Sequence, residues 1–185
     1  MGDLFTVDFE SFKRVEIKAI EDEIYRDTVS SMNPSEFEDY ALKLVESYSL
    51  VTVVVDESQI ELIDDLRELE KRQGYVFIKV PYSGSSKVLT LHPNPFTHPI
   101  RMISGDVTPS YIQIKFRLDG FDADVLNTTW KRELDNIKKN IVGCNRMAES
   151  FNSIIEHESL SILEKRRKHY HETVDFLGKV KLSKE

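Results

Sequence analysis

The chain has 185 residues, of which 40% are hydrophobic and 31% charged, and its net charge is -7. This hydrophobic fraction suffices for a packed core, which excludes disorder throughout the chain. No stretch approaches the ~20 apolar residues of a membrane-spanning helix. The first residues lack the pattern of a signal peptide, and the one cysteine, Cys144, cannot form an internal disulfide. We therefore expect a cytoplasmic protein.

The charge is unevenly distributed along the chain. Residues 1–72 hold 8 basic and 19 acidic side chains, residues 73–130 hold 5 and 4, and residues 131–185 hold 12 and 9. This separation favours head-to-tail self-association, or a long helix that folds back on an acidic surface. It argues against a nucleic-acid-binding protein, which usually needs a strongly basic surface.

The first part of the chain is predicted to form a helical hairpin. Apolar residues recur at steps of three and four over residues 9–31, the spacing of an amphipathic helix. A second helix is predicted to start at Asn33 to Glu36, because Asn33 can cap it and Pro34 suits the first helical position. Residues 9–49 are thus two antiparallel helices joined by a short turn.

The middle of the chain contains the predicted strands and one further helix. Residues 50–55 form a β-branched run that is typical of a buried strand, whereas residues 57–72 keep a helical spacing. A second strand is predicted over residues 75–80, and Pro81 is expected to end it.

A proline-rich segment and a third strand come next. Residues 81–109 carry five of the six prolines, which predicts an ordered loop without regular elements. Residues 110–118 alternate between polar and apolar side chains, which predicts a half-exposed strand in an antiparallel or mixed sheet.

From Asp122 the chain is predicted to be helical almost to its end. Apolar side chains recur from Val125 to Ile141 and again from Met147 to Leu177, and Gly143 is expected to separate two helices. Residues 179–185 are polar and resemble a linker that continues into a longer polypeptide.

These elements predict one α+β domain over residues 1–178. It consists of an amino-terminal helical hairpin, a small mixed or antiparallel sheet of three to five strands, and a long carboxyl-terminal helical pair.

The function favoured by this pattern is non-catalytic assembly or regulation. The long helices carry more apolar surface than a small sheet obviously covers, which indicates homodimerisation or docking of a protein partner. Trp130 and Phe151 are the predicted anchors, because aromatic residues dominate interface energetics. The other predicted partner-binding residues, on the same apolar faces, are Leu134, Ile137 and Ile155. The alternative is that both aromatic anchors fill the chain's own core.

A second hypothesis is a nucleic-acid-binding domain or a degenerate restriction-type nuclease. Its binding residues are Lys115 and Arg117 together with the cluster Lys165, Arg166, Arg167 and Lys168. Asp106, followed by Gln113-Ile114-Lys115, approaches the acid and acid-x-Lys pattern of such nucleases. Gln113 replaces the second acid, however, and a neutral amide is a poor ligand for Mg²⁺.

Neither a metal nor another cofactor is expected. His169 and His171 are two residues apart on a predicted helix, so their side chains diverge by ~200°. A small-molecule site under the proline-rich loop has only His92, His98 and Tyr82 in its favour.

Several short motifs occur together, in order, over residues 75–178. They are Val80-Pro81-Tyr82-Ser83-Gly84, Leu91-His92-Pro93-Asn94-Pro95-Phe96, a strand leading into a long helix, Phe151-Asn152, Arg166-Arg167-Lys168, and Phe176-Leu177-Gly178. This order resembles an amino-terminal module of large bacterial proteins, where it precedes restriction-endonuclease-like or other effector domains, in some cases in antiviral defence. The resemblance implies that any catalysis lies outside this chain.

Overall fold

A computed structural model describes the chain over residues 2–26, 34–63, 75–93, 105–117 and 123–180. It confirms an α+β fold with an amino-terminal helical pair, a small antiparallel sheet and a long carboxyl-terminal helix. None of the helices in these ranges is both long enough and apolar enough to cross a membrane.

The chain divides into two compact units. The sheet unit comprises Met1–Phe12 and Leu50–Glu149, and the helical unit comprises Lys13–Ser49 and Ser150–Glu185. The assignment of residues 1–178 to a single domain stays a prediction.

Four helices and six strands make up the described chain. The helices are α1 (Phe9–Arg26), α2 (Pro34–Tyr48), α3 (Ser86–Thr90) and α4 (Ala123–Lys179). The strands are β1 (Gly2–Asp3), β2 (Val54–Val55), β3 (Glu61–Ile63), β4 (Tyr75–Ser83), β5 (Gly105–Val107) and β6 (Tyr111–Arg117). The sheet is antiparallel in the order β1-β5-β6-β4-β3, and β2 pairs with the other end of the same edge of β4.

The edge formed by β2 and β3 contains extra residues. Val55 pairs with Tyr82 and Glu61 with Lys79, so residues 56–60 stand opposite only two residues of β4. A 3-10 turn, Glu57–Gln59, takes up the excess, and Asp56 caps it by accepting a hydrogen bond from the Ser58 amide at 3.0 Å. The prediction of a helix over residues 57–72 is therefore wrong for the described residues. This segment instead forms backbone hydrogen bonds with the edge of β4, which would otherwise be unpaired. Residues 64–74 lie outside the described chain.

Two predicted strand boundaries are also wrong. Of residues 50–55 only Val54–Val55 pairs in the sheet. β4 continues through Pro81, whose carbonyl accepts a hydrogen bond from the Asp56 amide at 2.9 Å. The amide nitrogen and the carbonyl of one residue face the same side of a strand. The nitrogen of Pro81, which carries no hydrogen, therefore faces the interrupted edge, and no hydrogen bond to β6 is lost.

The proline-rich segment is more regular than predicted. It contains the end of β4, the short helix α3 and strand β5. Gly84 follows β4 with a φ of +106°, and a Cβ there would lie 2.2 Å from the Thr52 carbonyl oxygen. The loop therefore requires glycine at this position. Residues 94–104 lie outside the described chain.

The alternation predicted for the third strand is confirmed in β6. Ile112, Ile114 and Phe116 are buried, whereas Lys115 is exposed. Residues of β4 that pair with the buried positions of β6 are buried as well, including Ile78 and Val80. One face of the sheet thus supplies the core of the sheet unit.

The predicted carboxyl-terminal helical pair is a single helix. α4 is continuous over 57 residues and passes through Gly143 without interruption. A Cβ at Gly143 would lie 3.2 Å from the Pro93 Cβ, closer than most such contacts. Glycine at this position thus allows the helix and the loop to approach closely. Its low helix propensity is offset by the backbone hydrogen bonds of the surrounding helix.

Three helices make up the helical unit. The Tyr48 hydroxyl donates to Glu23 Oε2 at 2.8 Å, which joins α2 to α1. The guanidinium of Arg166 lies 4.8 Å from the ring centroid of Tyr25 in α1, and that of Arg167 lies 5.5 Å from the Phe37 ring in α2. The second part of α4 therefore packs against both helices of the predicted hairpin, and the sequence prediction of this hairpin is confirmed.

Candidate protein interface

Most of the predicted partner-binding residues lie in the chain's own core. Leu134 is 5% exposed, and Ile137, Phe151 and Ile155 are completely buried. A partner cannot contact these four side chains unless the chain opens locally. For Phe151, burial fits the alternative that the sequence left open, in which this side chain fills the core. A partner-binding role for all four residues stays a prediction.

Trp130 is the predicted anchor that keeps partial exposure. It lies beside an apolar cleft of about 380 Å³ in the sheet unit, between the start of α4 and the edge of the sheet. Its indole Nε1 donates a hydrogen bond to Asn127 Oδ1 at 3.2 Å. The cleft is lined by Glu57, Ile60, Leu62, Ile78, Leu126, Asn127 and Trp130.

Three consecutive residues fix the first part of α4 within the sheet unit. Gly143 lies against Pro93, and the Cys144 Sγ donates to the Leu91 carbonyl oxygen at 3.1 Å. Asn145 makes two bonds to one residue: its Oδ1 accepts from the Val53 amide at 2.8 Å and its Nδ2 donates to the Val53 carbonyl at 2.9 Å. These two bonds satisfy the backbone N–H and C=O of Val53, which precedes β2 and pairs with no strand.

Cys144 is a structural thiol. It is fully buried, and desolvation raises its pKa to about 12. A thiol with this pKa is protonated at neutral pH, and the thiolate is the nucleophilic form. The environment of Cys144 therefore does not support nucleophilic catalysis.

The last part of α4 has a different surface. We call residues 164–180, which follow the last buried residue Leu163, the terminal segment. Every side chain from Lys168 to Val180 is exposed. The exposed apolar residues include Tyr170 at 41%, Val174 at 46% and Leu177 at 62%.

These apolar residues continue the buried face of the helix. Four apolar residues and one arginine recur along this face at alternating steps of four and three. We call this set the terminal stripe: Leu163, Arg167, Tyr170, Val174 and Leu177. A repeat of this kind keeps one face of a helix towards a partner helix. The stripe starts at the buried Leu163 and extends over about three turns of exposed helix.

The opposite face of the terminal segment is charged. Helical spacing places five residues there: Lys165, Lys168, Glu172, Asp175 and Lys179. Lys168 Nζ and Glu172 Oε1 are 3.9 Å apart, and the Thr173 hydroxyl donates to the His169 carbonyl at 2.8 Å. Phe176 is 65% exposed but lies well away from the terminal stripe. The segment is thus an amphipathic helix whose apolar side faces water.

The predicted nucleic-acid-binding residues belong to both units. Lys115 is exposed on β6 in the sheet unit, and the side chain of Arg117 lies outside the described part of the chain. The four-residue basic cluster lies in the helical unit, where two of its members, Arg166 and Arg167, stack on aromatic rings of α1 and α2. These two arginines therefore contribute to the packing of the helices.

The residues of the nuclease pattern lie together on two strands. Asp106 on β5 is directly opposite Gln113 on β6, two residues before Lys115. Within the described ranges, no three His, Cys, Asp or Glu side chains come close enough together to hold a metal ion.

The residues of the predicted small-molecule site have structural contacts. Tyr82 is buried, and its hydroxyl donates to the Thr108 carbonyl oxygen. The backbone amide of His92 donates to the Val7 carbonyl at 2.7 Å. His98 lies outside the described residues.

No family model, curated protein or solved structure with which the chain was compared matches it.

Proposed function

We propose that this chain is a non-catalytic assembly module, in which the terminal segment of α4 packs against another helix. The observation that carries the proposal is the terminal stripe, whose residues Tyr170, Val174 and Leu177 are exposed although they continue a buried helix face. Exposed apolar side chains scattered singly are ordinary, whereas apolar side chains that recur with heptad spacing on one helix face, as Tyr170, Val174 and Leu177 do, indicate an interaction site.

The energetics support the same conclusion. Full burial of one large apolar side chain contributes roughly 1.5–3 kcal/mol. Isolated helices shorter than about 12–15 residues are marginal in water, because most helical stability comes from packing of an amphipathic face. A partner helix on the terminal stripe thus both buries apolar surface and stabilises the last turns of α4.

The experiment that tests the proposal compares two neighbouring glutamate substitutions. Leu177 and Phe176 have similar exposure, at 62% and 65%, but only Leu177 lies in the terminal stripe. We expect the tagged chain, purified from its native cells, to show a native mass above the 21.5 kDa of one chain. Leu177→Glu should return the mass to that of one chain, because it places a charge in the buried seam.

Phe176→Glu is the matched control and should leave the mass of the assembly unchanged. A wild-type mass of one chain contradicts the assembly function. An equal loss of mass in both variants contradicts the assignment to the terminal stripe.

The biological setting rests on the sequence resemblance alone. From this resemblance we propose that the module belongs to a larger bacterial system, such as one for antiviral defence. Any catalytic domain of that system would lie outside this chain.

A second candidate function, binding of single-stranded nucleic acid, has one observation in its favour. Lys79 Nζ lies 5.3 Å from the ring centroid of Tyr111, and Phe77 is directly opposite Lys115 on the same sheet. Aromatic rings beside cations are the elements of a surface on which bases stack. For this candidate we expect binding that weakens steeply with added salt and is lost in Lys79→Glu/Lys115→Glu. Retention that is unaffected by salt or by the double substitution contradicts it.

A further inference from the structure

We infer that the edge of the sheet at β3 binds an extended peptide segment of a partner protein. The segment adds to the sheet as a further strand and places one large apolar side chain in the cleft beside Trp130. The inference goes beyond the proposed function, because this edge belongs to the sheet unit and the terminal segment takes no part in it.

The outer edge of β3 exposes the backbone of one residue. The Pro81 carbonyl faces this side of β4, and Lys79, two positions earlier, faces the same side. Its partner Glu61 therefore directs its N–H and C=O towards β4, as does Ile63. The N–H and C=O of Leu62 point away from the sheet, and no other strand of the described chain pairs with β3 there. An unpaired edge of this kind is a template for another strand.

The side chain of Leu62 lies beside the apolar cleft. Leu62 is 54% exposed and pairs with the buried Ile78, and both line the cleft together with Trp130. Residues directly opposite each other in a sheet project to the same face. A peptide residue opposite Leu62 therefore projects into the cleft while its N–H and C=O bond to the Leu62 backbone. This combination of edge pairing and a side-chain pocket is the way in which sheets bind extended peptides.

The lining of the cleft favours an uncharged, bulky side chain. The volume of about 380 Å³ lies within the roughly 300–1,000 Å³ of ligand cavities. Both polar residues of the lining already have partners: Glu57 accepts from Lys138 Nζ, and Asn127 Oδ1 accepts from the Trp130 indole. The rest of the lining is apolar, so a charged side chain would lose its hydration there without a partner.

The other face of β3 indicates which residues flank the bulky one. Glu61 is exposed and Ile63 is half-buried, and both project to the face opposite Leu62. The added strand is antiparallel to β3, because only then does one residue exchange both bonds with Leu62. A basic residue beside Glu61 and an apolar one beside Ile63 complement these side chains. The bound segment therefore reads apolar, bulky apolar, basic in its own chain direction.

Binding of one probe peptide to the purified chain tests the inference. The probe is acetyl-Ser-Thr-Val-Phe-Lys-Thr-Ser-amide, whose Phe is designed to lie opposite Leu62. Because β3 is only three residues long, we expect a dissociation constant on the order of 100 µM by calorimetry. N-methylation of the Phe removes the N–H that donates to the Leu62 carbonyl and should weaken binding about tenfold. N-methylation of the following Lys, whose N–H faces away from β3, is the control and should change binding less than about twofold.

Substitutions in the chain give a second readout. Leu62→Glu should weaken binding of the probe at least about tenfold, because it places a charge at the apolar cleft. Val142→Glu is the matched control: Val142 is also 54% exposed and belongs to the sheet unit, but it does not line the cleft. Leu177→Glu should bind the probe as well as wild type, which keeps this site distinct from the terminal stripe.

Three results would overturn the inference. The first is no binding of the probe at about 1 mM, tenfold above the expected dissociation constant. The second is equal binding of the two N-methylated probes, which would exclude pairing with the Leu62 backbone. The third is binding that Leu62→Glu leaves unchanged or that Leu177→Glu abolishes. A native mass of one chain, in contrast, contradicts assembly through the terminal stripe and leaves binding at β3 standing.

Discussion

The two ends of α4 carry the same kind of amphipathic pattern but differ in the burial of its apolar side chains. In its first part, Ala123–Glu149, the apolar positions Leu134, Ile137 and Ile141 are buried. In the terminal segment, Tyr170, Val174 and Leu177 hold equivalent positions on a helix face but are exposed. The difference lies in what covers the helix: loops of the sheet unit contact its first part, whereas the contacts of α1 and α2 with α4 reach Arg166 and Arg167. An apolar helix face therefore specifies that a partner is needed, but not whether the partner belongs to the same chain.

The largest expected contrast between the two ends is in thiol reactivity. Cys144 is fully buried and burial raises its pKa to about 12, whereas a cysteine at position 177 would be exposed. We expect Cys144 to react with a thiol reagent at pH 8 at least about 1,000-fold more slowly than the new thiol of Leu177→Cys, because Cys144 must first be exposed by opening of the structure. Peptide mapping of the labelled protein, at low protein concentration, measures both rates. Comparable rates would show that the first part of α4 is not packed as described.

Truncation of apolar side chains should separate the two ends next. Ile137→Ala removes a completely buried side chain and should lower the free energy of unfolding by about 3 kcal/mol, through lost burial and an unfilled cavity. Leu177→Ala should change it by less than ~0.5 kcal/mol in the monomer, since the side chain is 62% exposed. Urea unfolding of dilute protein checks both values. Similar losses in the two variants contradict the contrast.

The hydrogen bonds of Asn145 give a third contrast. Asn145→Ala removes both bonds to Val53 and leaves the Val53 backbone without these partners. We expect the free energy of unfolding to fall by about 2 kcal/mol. Arg146→Ala, at the exposed neighbouring position, is the control and should stay within ~0.5 kcal/mol of wild type. An unchanged stability of Asn145→Ala would argue against the packing of α4 on the segment before β2.

The smallest expected effect concerns the α1–α2 pair of the helical unit. Burial and the hydrogen bond to Glu23 raise the pKa of Tyr48 from 10.0 to about 12. A raised pKa means that the folded state favours the neutral phenol, so this contribution to stability is complete below pH 10 and is lost as the pH rises towards 12. Tyr48→Phe should therefore lose less stability than wild type between pH 10 and pH 12 in urea titrations. Parallel curves for the two proteins would contradict the burial of the Tyr48 hydroxyl together with its bond to Glu23.

Local patterns predicted those elements whose periodicity is strong. The hairpin of α1 and α2 and the alternating strand β6 follow from the spacing of apolar side chains, and Pro34 correctly indicated the start of α2. Prediction failed where a distant contact overrides the local pattern. Gly143 was expected to break a helix, but α4 continues through it, and the absence of a side chain there leaves room for Pro93, fifty positions earlier. Likewise the helical spacing after Asp56 yields to pairing with the edge of β4.

The candidate interface was predicted only in outline. Periodicity predicted an interaction role for α4, and this role stays a prediction. The periodicity could not distinguish the buried Phe151 from the exposed Leu177, because both occupy apolar positions of the same helix. The role of Asn145 was missed altogether. An asparagine on a helix is usually a solvated residue, and its partner Val53 is 92 positions away in the sequence.

The most direct test of the account is the mass by sedimentation of the tagged chain and of its Leu177→Glu variant, each purified gently from native cells. We expect the wild-type chain to sediment in a complex heavier than 21.5 kDa, and Leu177→Glu to sediment at 21.5 kDa. A wild-type chain at 21.5 kDa, or a Leu177→Glu chain that assembles as well as wild type, would contradict assembly through the terminal stripe.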